Sequence, residues 1–161
     1  MFNGGFTDLL LLALAATLIV AAVIDARTFT ISNRLNAAIA LGAPVYWMSL
    51  SVTPWPGMAI QLAAGAIVFL LLAGAFYAGM MGGGDVKLAA ALALWFSAAD
   101  TVKFLVLMSI AGGLLTLGLL AWHRVKRREG RPQVPYGVAI AVGALAILVP
   151  ILTQRFLNQF V

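Results

Sequence analysis

MAIQLAAGAIVFLLLAGAFYAG, residues 58–79, carries no charged side chain, and Gln61 is its one strongly polar residue. A helix that crosses a bilayer needs about 20 predominantly apolar residues, and this stretch meets that length. Its side chains do not alternate between apolar and polar, as a lipid-facing barrel strand would require, so the expected element is a helix with its backbone bonds satisfied internally. Similar runs lie on both sides, at 8–24, 35–53, 102–122 and 136–157, with a shorter one at 86–99. The expected architecture is all-α: a polytopic membrane protein of about six transmembrane helices, in which residues 1–161 form one transmembrane domain.

Composition agrees. Of 161 residues, 63% are hydrophobic and 9% charged, and the mean hydropathy is +1.06. Soluble domains run nearer half apolar and a quarter charged, roughly, so lipid is the expected solvent for much of this surface. The net charge of +5 does not indicate nucleic acid, because the basic residues lie between the apolar runs, where they orient a membrane protein. One end of the bundle collects Arg27, Arg34, Lys87, Arg124, Lys126, Arg127, Arg128 and Arg131; the other has Lys103 and Arg155. By the positive-inside rule the first end is cytoplasmic and both termini are outside. The first run has no Lys or Arg before Arg27 and carries Asp8, so it is expected to be a retained helix rather than a secretory signal. Trp47, Trp55 and Trp95 are expected at the outer boundary, and Tyr77, Trp122 and Tyr136 at the inner one.

The chain has no cysteine and one histidine, His123. Disulfides, thiol nucleophiles and multi-histidine metal sites are therefore set aside, and neither cofactor nor metal is expected. His123, beside a basic run, is read as a membrane-edge residue. Five acidic residues remain: Asp8, Asp25, Asp85, Asp100 and Glu129. Asp25 closes the first helix and Asp85 opens the fourth, so the topology puts both at the inner face. Two neighbouring carboxylates suffice to activate a water, one taking its proton while the other polarises a carbonyl. Taken singly, Asp25 is also an ordinary edge charge beside Arg27, and Asp85 is also what a helix cap looks like. Gly82-Gly83-Gly84 before Asp85 allows a tight turn and close approach of another chain. The run from Arg124 to Arg131 reads first as an orientation signal, with anionic lipid as a secondary partner.

Gly82-Gly83-Gly84-Asp85 resembles the GxGD signature of intramembrane aspartic proteases, and Asp85-Val86-Lys87-Leu88 extends it as in prepilin peptidases. Asp25, followed by Ile31-Ser32-Asn33, is similar to that family's first motif, with Ser32 where proline is usual. Val134-Pro135-Tyr136-Gly137 resembles the segment that opens the family's last helix. The resemblance implies an aspartic endopeptidase that removes prepilin leaders at the cytoplasmic face of a bacterial inner membrane. Asp25 and Asp85 would be its catalytic pair, supported by Gly82, Gly84, Lys87 and Asn33. Lacking cysteine and a cytoplasmic insert, the chain is similar to the short form found with tight-adherence (Tad/Flp) pili, without methyltransferase activity. Helix dipoles divide the roles, with Asp85 as base and Asp25 as acid. The expected partners are a prepilin and membrane lipid, with no nucleic acid; no motif fixes an oligomeric state. Two rivals stay open: an ion-coupled transporter with Asp25 and Asp85 as proton carriers, and an assembly subunit in which the glycines merely form a turn.

Overall fold

The computed structural model describes residues 4–126 and 133–158, and among these it has helices and no strand. Six helices follow one another: α1 (Gly4–Thr28), α2 (Asn33–Ser49), α3 (Ala59–Tyr77), α4 (Gly83–Ala93), α5 (Ala98–Val125) and α6 (Tyr136–Leu157), with a tight turn at Pro54–Met58 leading into α3. Every expected apolar run is a helix. Four segments, α1, α3 with its leading turn, α5 and α6, are long and apolar enough to cross a membrane.

α6 packs along α1 on one side and α5 on the other, while α4 sits among α2, α3 and α6. In lipid there is little hydrophobic drive for helices to associate, so close van der Waals packing must hold them. The dry centre is built from Leu11, Leu18, Leu88, Leu92, Phe104, Ile140 and Leu148.

The short run is the informative one. α4 has only 11 residues, roughly 16 Å at 1.5 Å per residue, about half of a ~30 Å hydrocarbon core. From Leu94 to Ser97 the chain leaves the helix through a turn, with the Trp95 N–H bonded to the Leu92 carbonyl at 2.9 Å, and buried backbone freed there needs partners. One tryptophan supplies a partner and a second fastens the segment to α2. Trp47 Nε1 donates to the Leu94 carbonyl (2.7 Å) and Trp95 Nε1 to the Ile39 carbonyl (2.9 Å), and the Trp95 ring stacks on Tyr46 at 5.1 Å. Trp47 and Trp95 are therefore buried, which corrects their expected place in a lipid-facing belt. Trp55 and Trp122 are exposed as a belt requires.

α5 departs in the other direction. Its 28 residues extend roughly 42 Å, and the Tyr136 ring at the start of α6 lies over Gly112. Gly112 also meets Ala139, and Gly143 meets Met108, so the last ~10 residues of α5 run about 15 Å past the start of α6. Arg124 and Lys126 stand on this extension; Arg127, Arg128, Glu129 and Arg131 lie outside the described residues.

Candidate active site

The fold brings the expected residues to one end of the bundle by three local devices. The first ends α3. Gly79, at φ +70°, donates its N–H to the Phe76 carbonyl, and Met80 donates to Ala75. This paired helix stop needs the left-handed conformation that glycine adopts freely. The chain then extends through Gly82 (φ −74°, ψ 146°) and starts α4 at once.

The second device carries Asp85 in the first turn of α4, with its N–H bonded to the Gly82 carbonyl at 3.1 Å. Gly82 is tight against the carboxylate, since a Cβ there would lie 2.8 Å from Asp85 Oδ2; a Cβ at Gly84 would lie 2.8 Å from the Ile31 carbonyl oxygen. The segment joining α1 to α2 thus crosses directly over the start of α4, and a side chain at residue 84 would push it away. Ser32 caps α2, its hydroxyl accepting from the Leu35 N–H at 3.2 Å. The residue that departs from the usual proline therefore starts the helix by another route.

Asp25 is held by the third device. It lies on the last turn of α1 and is 2% exposed. Its Oδ2 accepts from the Val138 N–H at 3.3 Å, in the first turn of α6. A Cβ on Gly137 would lie 2.8 Å from the Asp25 carboxyl carbon. Only glycine lets α6 begin this close, which gives the Pro135-Tyr136-Gly137 segment a physical reason. Asp25 therefore faces the N-terminus of α6 as well as ending α1. This removes the dipole argument that assigned it the acid role and Asp85 the base role.

The supporting residues tie the elements together. Lys87 Nζ donates to Asn33 Oδ1 (2.8 Å), joining α4 to the start of α2. One turn on, Asn36 donates to the Gly84 carbonyl at 2.9 Å. Asn36 and the contact of Gly137 with Asp25 were not singled out from the sequence. Asn36 follows Asn33 by three residues, the spacing that places both on one helix face, and that spacing was the available signal.

Asp85 opens on a cavity of about 480 Å³ lined by Phe29, Met81, Gly82, Gln133 and Tyr136 among others. A smaller recess of about 190 Å³ joins Asp85 to Thr30 and Ile31. Asp25 is the less exposed of the two, and the two carboxylates are near enough for their charges to interact. An enclosed acid beside an open one can position a water with one group while the other meets an incoming chain.

The remaining acids serve elsewhere. Asp8 pairs with Arg155 at the opposite end. Asp100 bonds Ser97 and Lys103 at the start of α5. Glu129 is outside the described residues. His123 lies on the α5 extension, away from both aspartates, and its Nδ1 is buried without a partner. Among the described residues, no three His, Cys, Asp or Glu side chains converge as metal ligands.

A family model described as the type IV leader peptidase family matches residues 12–117. The match takes in Asp25, Asn33, the Gly82–Gly84 run, Asp85 and Lys87, and stops short of α6. No curated protein and no solved structure matches the chain.

Proposed function

Because the chain belongs to the type IV leader peptidase family, we propose that it is a membrane-embedded aspartic endopeptidase in which Asp25 and Asp85 form the catalytic pair. The family makes it a protease with pilin-type leader substrates. The finer reading is that cleavage occurs at the cytoplasmic boundary of a bacterial inner membrane, without methyl transfer, as in the short peptidases of Tad/Flp systems. The observation that carries it is the arrangement of the two acids: both at one end of the bundle, electrostatically linked, with one enclosed and one opening on a cavity.

The chemistry follows from that arrangement. A water held by the pair loses a proton to the ionised carboxylate as its oxygen attacks the scissile carbonyl carbon. The protonated partner donates to the carbonyl oxygen. Collapse of the tetrahedral intermediate breaks the C–N bond, and the amine leaves with the proton taken from water. The carboxylate that gave its proton to the carbonyl oxygen takes one back from the intermediate's hydroxyl as the carbonyl re-forms. The products are a carboxylic acid and an amine, which become a carboxylate and an ammonium near neutral pH, and the dyad returns to its starting state. The Val138 N–H holds Asp25 in one orientation, so it meets the water without first reordering. Two neighbouring carboxylates do not readily both ionise, so the pair holds one proton between them.

The charge distribution supports the orientation. Arg27, Arg34 and Lys87 lie with the dyad, and Lys103 and Arg155 at the far end. A proton-carrying transporter would hold its carboxylates near the middle of the span; here they lie on the last turn of α1 and the first turn of α4.

The test is co-expression with a candidate pilin precursor, read by size shift and by the mass of the new N-terminus. Cleavage by the wild type and its loss in both Asp25→Asn and Asp85→Asn, each shown to be inserted, would support the dyad. Normal cleavage by either variant would remove it.

A further inference from the structure

α1 ends on a residue that its turn does not favour. Phe29 follows the last helical residue, Thr28, with φ at +53°. Helices commonly stop in this left-handed conformation, but on glycine or asparagine, which adopt it at little cost. For a bulky side chain it is strained. Among the described residues, Ser51 is the one other non-glycine with positive φ, and its side chain is small. The turn at Phe29 is held from several sides. Its N–H donates to the Asp25 carbonyl at 2.8 Å, and the Thr28 and Thr30 hydroxyls meet across it at 3.0 Å. Strain that the surroundings over-determine in this way gathers at functional sites.

Core packing does not explain the ring, which is 45% exposed and lies outside the buried core. Its position does. The cavity of about 480 Å³ on which Asp85 opens and the recess of about 190 Å³ beside it share three lining residues, Phe29, Gly82 and Asp85. The larger space continues past Met80, Met81 and Tyr136, the smaller past Thr30 and Ile31. One ring, one bare stretch of backbone and one carboxylate therefore stand where the two spaces meet.

We infer that Phe29 sets which bond is cut: its ring partitions the two spaces, so that an extended chain crossing from one to the other is stopped in a single register against Asp85. The inference rests on the peptidase reading and deepens it by naming the residue that selects the bond. Gly82 lets the backbone of the chain come close at the same point. An aromatic ring turns about only two side-chain torsions, so it makes a stop that costs little to order. A helix stop alone would be served better by glycine. A ring that merely faced lipid would not need the strained turn that carries it between the two spaces.

The test separates the ring from the turn. Phe29→Asn and Phe29→Gly both relieve the backbone and remove the ring, and only the second adds the freedom of glycine to the connection. Phe29→Asn should raise the thermal midpoint of the inserted protein by roughly 2–4 °C. The probe is a pilin precursor that the wild type cuts at one bond, read by the mass of the new N-terminus. Both variants are expected to give a mixture of N-termini at neighbouring bonds, with kcat/KM for the original bond about tenfold lower. Phe29→Tyr, which keeps the ring, should give the wild-type product alone. A single, unshifted N-terminus from Phe29→Asn overturns the inference whatever its rate. A lower thermal midpoint in Phe29→Asn overturns it too, because the ring would then serve packing or lipid anchoring. Both results leave a cleaving wild type intact. A wild type that cleaves no precursor overturns the peptidase reading, and selection of the bond falls with it.

Discussion

Each end of the bundle buries an acid, and the two ends treat it differently. At one end Asp8, 4% exposed, is paired with Arg155, fastening α1 to the end of α6. Nearby, the Thr7 hydroxyl donates to Ser49 at 3.0 Å, tying in α2. At the other end Asp25 and Asp85 are buried with no salt bridge among the described residues. Asp25 has a backbone N–H instead, and each acid has the other's charge nearby. An ion removed from water costs several kcal/mol, roughly, unless something compensates it. The Asp8 end meets that cost with a cation, whose position then holds two helices together. The dyad end leaves its carboxylates under-compensated, and such groups remain available to exchange protons and bind water.

The difference can be broken most sharply at the dyad. Asp25→Asn or Asp85→Asn should lower cleavage of a pilin precursor by about 10³-fold or more, while the inserted protein keeps its thermal midpoint within a few degrees. A comparable loss from Asp8→Asn would mean that the two ends are not distinct. Next in size is Gly137→Ala, whose new methyl meets the Asp25 carboxyl group. It should reduce kcat about 10²-fold, the scale on which misplacing a reacting group by about 1 Å acts, and single-turnover kinetics would separate that from weaker binding.

At the opposite end the readout changes from activity to stability. Arg155→Ala leaves Asp8 buried without its cation and should cost about 2 kcal/mol in unfolding measured in detergent, with cleavage within about twofold of wild type. Lys87→Gln loses the charged bond to Asn33 at a solvent-facing site and should cost about 0.5–1 kcal/mol, with a modest fall in activity. The smallest effect belongs to Ser32→Pro. At φ −71° the position accepts proline; the lost cap, about 1 kcal/mol, is offset by a stiffer unfolded chain, about 0.4–1 kcal/mol. The thermal midpoint should barely move, whereas Ser32→Ala, with only the loss, should lower it.

How far the sequence could be read followed from the range of each interaction. The apolar runs predicted every helix, because the length needed to cross lipid is written locally. Asp25 and Asp85 were placed together by counting crossings, which needs no contact information. Trp47 and Trp95 went the other way. Position near a span end suggested a lipid-facing belt, but the indole N–H groups are taken by carbonyls at Leu94 and Ile39, contacts between α2 and the end of α4 that are invisible before packing. Gly137 could be quoted as part of a motif, but the reason for it is a residue more than a hundred positions earlier. The α5–α6 connection carries basic charge but no apolar pattern, so the ~15 Å overhang of α5 emerged only from where Ala139 and Gly143 meet it.

The seat of Asp25 also bears on how the protein is made. α1 is synthesised before α6, yet the Val138 N–H and the bare face of Gly137 that position Asp25 belong to α6. A nascent chain that has reached only the end of α5 holds both acids but lacks the element that orients one of them. The seat of Asp25 is therefore completed only when α6 has joined α1, and a product cut short before α6 would carry both carboxylates without that contact.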